Sequence, residues 1–226
     1  MGSSIVLRFT IFILIFSTLI FSKNIGVVDF RLGELYLKND SLSNWIDTID
    51  EGDSIFLNDT LKTGSESKCE VLLVDKSLIR MGEKTIYTFK TYKNENNSVK
   101  CEGELLDGVV WSKVDTESGK RDFKIASPVA VAAVVGTIYK VEYGKNKKGV
   151  ISVLEGRVNI NPWVKRDKKS RSLKPKEIDG PKEVSLKDWV SIVKGEILIV
   201  DGWGNYEKKK IDISDLENEW KSFNKK

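Results

Sequence analysis

The chain has 226 residues, of which 31% are charged and 40% hydrophobic, with a formal net charge of +4. This composition excludes a disordered chain and a multispanning membrane protein, and the length suits one domain with at most a small addition. Histidine, the commonest acid–base residue at neutral pH, is absent. No nucleophile elbow, P-loop or metal-ligand spacing occurs either. The sequence therefore predicts a protein that is not an enzyme and holds no cofactor or metal.

The first predicted element is an apolar N-terminal segment. Residues 9–21 (FTIFILIFSTLIF) are almost wholly apolar, and one basic residue, Arg8, precedes them. As a helix this segment would rise only about 20 Å, short of the ~30 Å thickness of a bilayer core. With the small residue Ser22 at its exit, the pattern predicts a secretory signal peptide over residues 1–22, and an uncleaved anchor is the alternative. We therefore expect export to the periplasm or the cell surface.

Residues 23–162 are predicted to form the main β domain. Short β-branched runs, punctuated by glycine or Asn/Asp, indicate strands joined by polar turns. The apolar run VAVAAVV lies between Pro128 and Gly136. It is too short to span a membrane, is rich in valine and follows a proline, so it predicts a buried strand. The predicted fold class is all-β, a compact, jelly-roll-like β-roll or sandwich.

Two cysteines, Cys69 and Cys101, lie in predicted strands of this domain. An exported chain meets an oxidising compartment, so a disulfide between them is a possible pairing. The alternative is two buried free thiols in neighbouring strands. Two cysteines are too few to decide between these alternatives from the sequence.

Residues 163–182 are predicted to form a basic linker. The segment holds eight basic and three acidic residues, so it accounts for the net positive charge of the chain. Such a charge run predicts a solvated connector, and contact with anionic lipid head groups of a membrane is the alternative. The segment lacks the interleaved aromatic residues typical of nucleic-acid binding, so we expect no nucleic-acid partner.

Residues 183–226 are predicted to form a C-terminal strand and helix appendage with two short helices. The first helix is predicted in VSLKDWVSIVKG (184–195), with Ser185 as N-cap and Gly195 as C-cap glycine. The second is predicted in ISDLENEWKSF (213–223), where Ser214 and Glu217 have the spacing of a capping box. A strand, GEILIVDGWGN (195–205), is predicted between them.

Trp203 is the strongest sequence candidate for an exposed contact residue. It lies on a glycine-flanked turn, DGWGN, and turns of this kind lie at protein surfaces. Trp111 and Trp163 are further candidates. Exposed tryptophans of this kind would suit a glycan ligand.

The segment FKIASPVAVAAVVGTIYKVEY, followed by ISVLEGRVNI, is similar to the signature of the FecR domain family. The resemblance covers about residues 26–161 and includes two departures: Lys76 where the family often has glycine, and Ser127 where it usually has threonine. The motif positions, which we interpret as structural, are Gly52, Asp53, Thr63, Gly64, Ser67, Asp75, Pro128, Gly136, Thr137, Glu155 and Gly156.

The family resemblance implies a binding function in the cell envelope. The regulators that give the family its name have a cytoplasmic anti-sigma region, one membrane span and a periplasmic FecR domain. Only eight residues precede the apolar segment here, so direct control of a sigma factor is not expected. The sequence predicts an exported, non-catalytic interaction module with an envelope protein as partner, acting as a sensory or signalling adaptor. The alternative is an architectural or glycan-binding envelope protein.

Overall fold

A computed structural model describes residues 24–39, 44–46, 49–115, 119–134, 136–144, 146–162 and 189–224. The predicted signal peptide, the basic linker and Trp163 lie outside the described residues. The described part contains sixteen strands and one helix, and that helix is too short and too polar to cross a bilayer.

The strands are all short except β7 and β8. In chain order they are β1 Gly26–Leu32, β2 Leu35–Lys38, β3 Ser54–Ile55, β4 Thr60–Thr63, β5 Lys68–Leu73, β6 Leu78–Met81, β7 Ile86–Glu95, β8 Ser98–Lys113, β9 Lys120–Ala126, β10 Ala130–Val134, β11 Ile138–Tyr143, β12 Gly149–Glu155, β13 Arg157–Pro162, β14 Val190–Val193, β15 Glu196–Val200 and β16 Tyr206–Lys210. The helix α1 spans Ile213–Ser222.

The strands form two sheets that share β8. Sheet A has the order β3-β1-β5-β6-β8-β11-β12-β15-β16, and sheet B has the order β2-β4-β7-β8-β9-β10-β13-β14. All pairings are antiparallel except that of β8 with β9. One apolar core contains buried residues from both sheets, so the prediction of an all-β sandwich is confirmed.

Strand β8 passes from sheet B to sheet A at a bend around Gly108. Its first half pairs with β7 and β9, and its second half pairs with β6 and β11. Gly108 has a φ of +93°, and a Cβ there would lie 2.5 Å from the Cα of Thr85. Only glycine can adopt this positive φ and this close approach to Thr85 without strain.

The chain crosses between the sheets at two opposite ends of sheet A. Crossovers at Gly33, Gly64 and Gly82 lie at the end where β8 bends, and crossovers at Gly136, Gly156 and Gly195 lie at the other. The second set is stacked closely, since a Cβ on Gly156 would lie 2.8 Å from the carbonyl oxygen of Gly136. Several glycines of the sequence pattern therefore mark changes of sheet.

The apolar run after Pro128 forms strand β10, as predicted. It lies between β9 and β13 in sheet B, and Ala130, Ala132 and Val134 point into the core. The turn before it is closed by Ser127, whose hydroxyl donates to the carbonyl of Ala130 (3.0 Å).

The prediction of two C-terminal helices is wrong for the first. Residues Val190–Val193 form β14, which pairs with β13, and Gly195 has a φ of +77° at the crossover to β15. The β-branched residues gain more from pairing along β13 than from a helical stripe, because Ile192 becomes fully buried there. The second helix is confirmed as α1, but its N-cap is Asp212, whose carboxylate accepts the backbone N–H of Ser214.

Candidate functional site

The FecR-like motif residues of the first half hold turns and crossovers. The Thr63 hydroxyl donates to the carbonyl of Gly82 (2.6 Å) and accepts the N–H of Thr85 (2.9 Å). The Ser67 hydroxyl accepts the N–H of Glu34 (2.9 Å), beside Gly64. These side chains therefore bond to the chain's own backbone at a crossover.

Gly52 and Asp53 form the turn that leads into β3. The N–H of Gly52 donates to the carbonyl of Val28 (2.8 Å). The Asp53 carboxylate accepts the N–H of Asp50 (2.7 Å).

Four motif residues of the second half, Gly136, Thr137, Glu155 and Gly156, meet at one crossover, whereas Pro128 lies at the other end of β10. The hydroxyl of Thr137, which follows Gly136, donates to the carbonyl of Arg157 (3.0 Å) across the crossover at Gly156. Pro128 lies in the β9–β10 turn, and Glu155 is exposed at the end of β12. At this crossover, Glu155 and Gly156 are exposed.

Asp75 belongs to a buried polar cluster at the β5–β6 turn. Its carboxylate accepts the Ser77 hydroxyl (2.9 Å) and lies 3.9 Å from the Nε of Arg121. The Arg121 guanidinium also donates to the carbonyl of Asp115 (3.1 Å) and lies 3.6 Å from its carboxylate. The side chain of Arg121 is only 4% exposed, so the cluster joins the turn to the start of β9 through a shielded ion pair.

A second polar cluster lies between the outer face of sheet A and α1. Glu70, Arg80, Trp111 and Lys140 are neighbours across β5, β6, β8 and β11, and we name them the cross-strand row. Glu70 and Arg80 form an ion pair. The sequence pattern does not reveal this row, because strand residues that point away from the core are ordinarily solvent-facing.

Helix α1 covers the cross-strand row through two adjacent residues. The Glu219 carboxylate accepts the indole N–H of Trp111 (3.0 Å) and the ammonium of Lys140 (2.9 Å). The Trp220 ring lies 3.7 Å from the guanidinium carbon of Arg80. Burial opposes the charge on Lys140, but the nearby Glu142 and Glu219 carboxylates outweigh it and raise the pKa of Lys140.

The tryptophan candidates have different environments. Trp111 is 1% exposed because α1 covers it, so its prediction as an exposed residue is wrong. Trp203 is 81% exposed, on the turn between β15 and β16. Tyr206, at the start of β16, is 54% exposed beside it.

Both cysteines are buried free thiols in the structure. They do not lie in neighbouring strands: Cys69 is on β5 of sheet A, and Cys101 is on the sheet B half of β8. Burial raises the pKa of Cys69 to about 12 and raises the pKa of Cys101 further above its usual range. Among the described residues, no group of three or more Cys, Asp or Glu side chains is arranged to hold a metal ion.

Residues 59–159 match the family model described as FecR protein. The resemblance found in the sequence is thus confirmed over this range.

Solved structures show the same fold. Two crystal structures of a candidate anti-sigma factor from Parabacteroides distasonis ATCC 8503, at 1.65 and 2.50 Å resolution, are 17% identical to this chain. Their TM-scores are 0.51 and 0.50, the alignments cover 72% and 71% of this chain, and they span 64% and 63% of those chains. At this identity the likeness concerns the fold alone. No curated protein matches the chain significantly.

Proposed function

We propose that the protein is an exported, non-catalytic FecR-domain module that acts as a sensory or signalling adaptor by binding another protein of the cell envelope. The observation that carries this proposal is the FecR match over residues 59–159. The shared fold with a candidate anti-sigma factor adds support for a regulatory role. Export is proposed from the apolar segment 9–21 and the small residue Ser22.

The geometry of the FecR domain favours binding over catalysis. The motif side chains Thr63, Ser67 and Thr137 bond to backbone groups at crossovers. Asp75 is engaged by Ser77 and Arg121. A catalytic constellation needs side chains that face a substrate, whereas these face the chain itself. Recognition is therefore assigned to the exposed surface that the sandwich holds in place.

Site-specific crosslinking in cells tests the adaptor role. A photoreactive residue is placed at three exposed positions in separate variants: Val74, Leu106 and Tyr206. Crosslinked partners are then identified by mass spectrometry. We expect one envelope protein to be captured reproducibly from one of these surfaces and not from the others. Capture of cell-wall polymer alone, or equal capture of many proteins from all three positions, would contradict the proposal.

The mature N-terminus, read from the same sample, tests export separately. We expect it near residue 23, which would show that the predicted signal peptide is removed. A chain that still begins at residue 1 or 2 and fractionates with cytoplasmic proteins would overturn export without bearing on whether the module binds a protein.

A further inference from the structure

The β15–β16 turn presents two aromatic side chains at one end of sheet A. We name residues 201–206, with Trp203 and Tyr206, the aromatic tip. Trp203 is the most exposed large hydrophobic side chain among the described residues, at 81%, and Tyr206 is 54% exposed. Two large aromatic side chains exposed on one short turn form an apolar patch, and such patches mark interaction sites.

The aromatic tip is held rigidly by one carboxylate. Asp201 accepts the backbone N–H groups of Trp203 (2.8 Å) and Asn205 (2.9 Å), and its second oxygen accepts the Asn205 side-chain amide (2.9 Å). These hydrogen bonds, that of the Asn205 side chain foremost, lower the pKa of Asp201. The loop therefore needs no ordering when it meets a ligand, which favours binding.

The same hydrogen bonds argue against a sugar ligand. Sugar recognition needs polar side chains free to bond hydroxyl groups, in addition to an aromatic platform. In the aromatic tip, the Asp201 carboxylate and the Asn205 amide are already bonded to each other and to the loop backbone. The groups that the tip exposes to a ligand are mainly the aromatic rings of Trp203 and Tyr206.

Two exposed lysines lie beside the aromatic tip. The neighbouring β11–β12 turn carries exposed Lys147 and Lys148, and the Lys147 carbonyl would lie 3.7 Å from a Cβ on Gly202. Strand β16 carries Lys208, Lys209 and Lys210 away from the tip, since Lys210 pairs with Glu196 at the other end of β15. Lys147 and Lys148 are therefore the lysines that lie beside the tip. Tryptophan and tyrosine beside lysine is the combination found where proteins meet the polar layer of an anionic bilayer.

Addition of a partner strand along β16 is disfavoured. Strand β16 is the last strand of sheet A in the described part of the chain. Its Lys208 ammonium reaches the Glu196 carboxylate (2.7 Å) and the carbonyl of Ser191 on β14 (3.2 Å). Lysines on an edge strand, and charged side chains that point inward from it, are common protections against edge pairing. The aromatic tip is therefore a better binding surface for a partner than the edge of β16.

We propose that the aromatic tip is a membrane contact, in which Trp203 and Tyr206 enter the head-group layer of an anionic phospholipid bilayer while Lys147 and Lys148 face its phosphates. This contact does not depend on the adaptor role. The tip lies at the opposite end of sheet A from the β5–β6 turn, where Val74 has the same 54% exposure as Tyr206. Val74 therefore provides a matched control position.

The test uses the full chain with an environment-sensitive fluorophore on a single introduced cysteine. Tyr206→Cys carries the reporter in one protein and Val74→Cys in the control, while the native cysteines are buried. Vesicles contain phosphatidylcholine with roughly one quarter phosphatidylglycerol, and phosphatidylcholine alone serves for comparison. Residues 9–21 are common to all variants, so a difference between reporter positions reports on the tip.

We expect the Tyr206 reporter to shift to the blue and brighten with anionic vesicles, and the Val74 reporter to stay unchanged. Adding Trp203→Ala to the Tyr206→Cys protein should weaken the response at least about tenfold in lipid concentration. Raising the salt from about 0.1 M to about 1 M should weaken it as well.

Three results would overturn the membrane contact: equal responses at the two positions, no effect of Trp203→Ala, or a response to soluble peptidoglycan fragments in place of vesicles. The last result would assign the tip to a glycan. None of them would bear on the crosslinking test of the adaptor role.

Discussion

The Arg121 guanidinium is the most deeply buried cation for which the structure records ion pairs. It lies between the carboxylates of Asp75 and Asp115. Removing one member of a buried pair leaves an uncompensated charge away from water, which costs about 3–5 kcal/mol. We expect Arg121→Met to lower the free energy of unfolding by that amount in urea denaturation.

An exposed ion pair provides the control for Arg121. The Lys100 ammonium lies 3.1 Å from the Glu102 carboxylate, and its side chain is 46% exposed. Such pairs contribute about 0–1 kcal/mol, so Lys100→Ala should change stability little. Adding Asp75→Asn to Arg121→Met should recover part of the loss, because the orphaned charge is removed. Strictly additive losses would contradict the ion-pair interpretation.

Lys76 carries a backbone strain that the family pattern avoids. Its φ is +68°, in the left-handed region that favours glycine. We expect Lys76→Gly to be more stable than Lys76→Ala by about 1 kcal/mol, since both lose the side chain and only alanine keeps the strain. Thermal unfolding of the two variants measures the difference. Equal stability would mean that the turn relaxes at no cost.

At the scale of elements, α1 is stabilised mainly by its contacts with the outer face of sheet A. A ten-residue helix is marginal in isolation. Because the Trp220 ring covers Arg80, we expect Trp220→Ala to cost about 2 kcal/mol and to release the helix from sheet A. Acrylamide quenching of Trp111 should then increase. Lys221→Ala, next to it and 69% exposed, should change neither quantity.

The strands were predictable from the sequence where the pattern was local. The run that became β10 combined valine, a preceding proline and a following glycine, and each of these favours an extended strand with a sharp end. Residues 184–195 had an equally regular helical stripe, yet Val190–Val193 form β14. That outcome depends on pairing with β13, a contact distant in sequence that periodicity does not contain.

The cross-strand row shows why the second polar cluster could not be predicted. Arg80 and Lys140 occupy positions that would be solvent-facing in a sheet with one bare side. They are covered because α1, far along the chain, folds back across β6, β8 and β11. By contrast, the exposure of Trp203 followed from its glycine-flanked turn, which is a local signal.

At the scale of the whole molecule, β8 determines how the two sheets depend on each other. Its halves are the central strands through which β7 and β9 in sheet B join β6 and β11 in sheet A. Opening either sheet therefore exposes the core shared by both. We expect the described sandwich to unfold in one cooperative transition, with its interior protected until then.

The two cysteines report that transition directly. A thiol reacts as its thiolate, and burial raises the pKa of Cys69 to about 12, with Cys101 shifted in the same direction. We expect no alkylation of the native protein at neutral pH and two labels per chain in urea without a reductant, counted by mass spectrometry. The labelling rate should rise with urea in step with global unfolding, since the sulphurs lie on different sheets of one core. No label on the unfolded, unreduced chain would show a disulfide instead, and one label reacting readily in the native state would show that one sheet opens independently of the other.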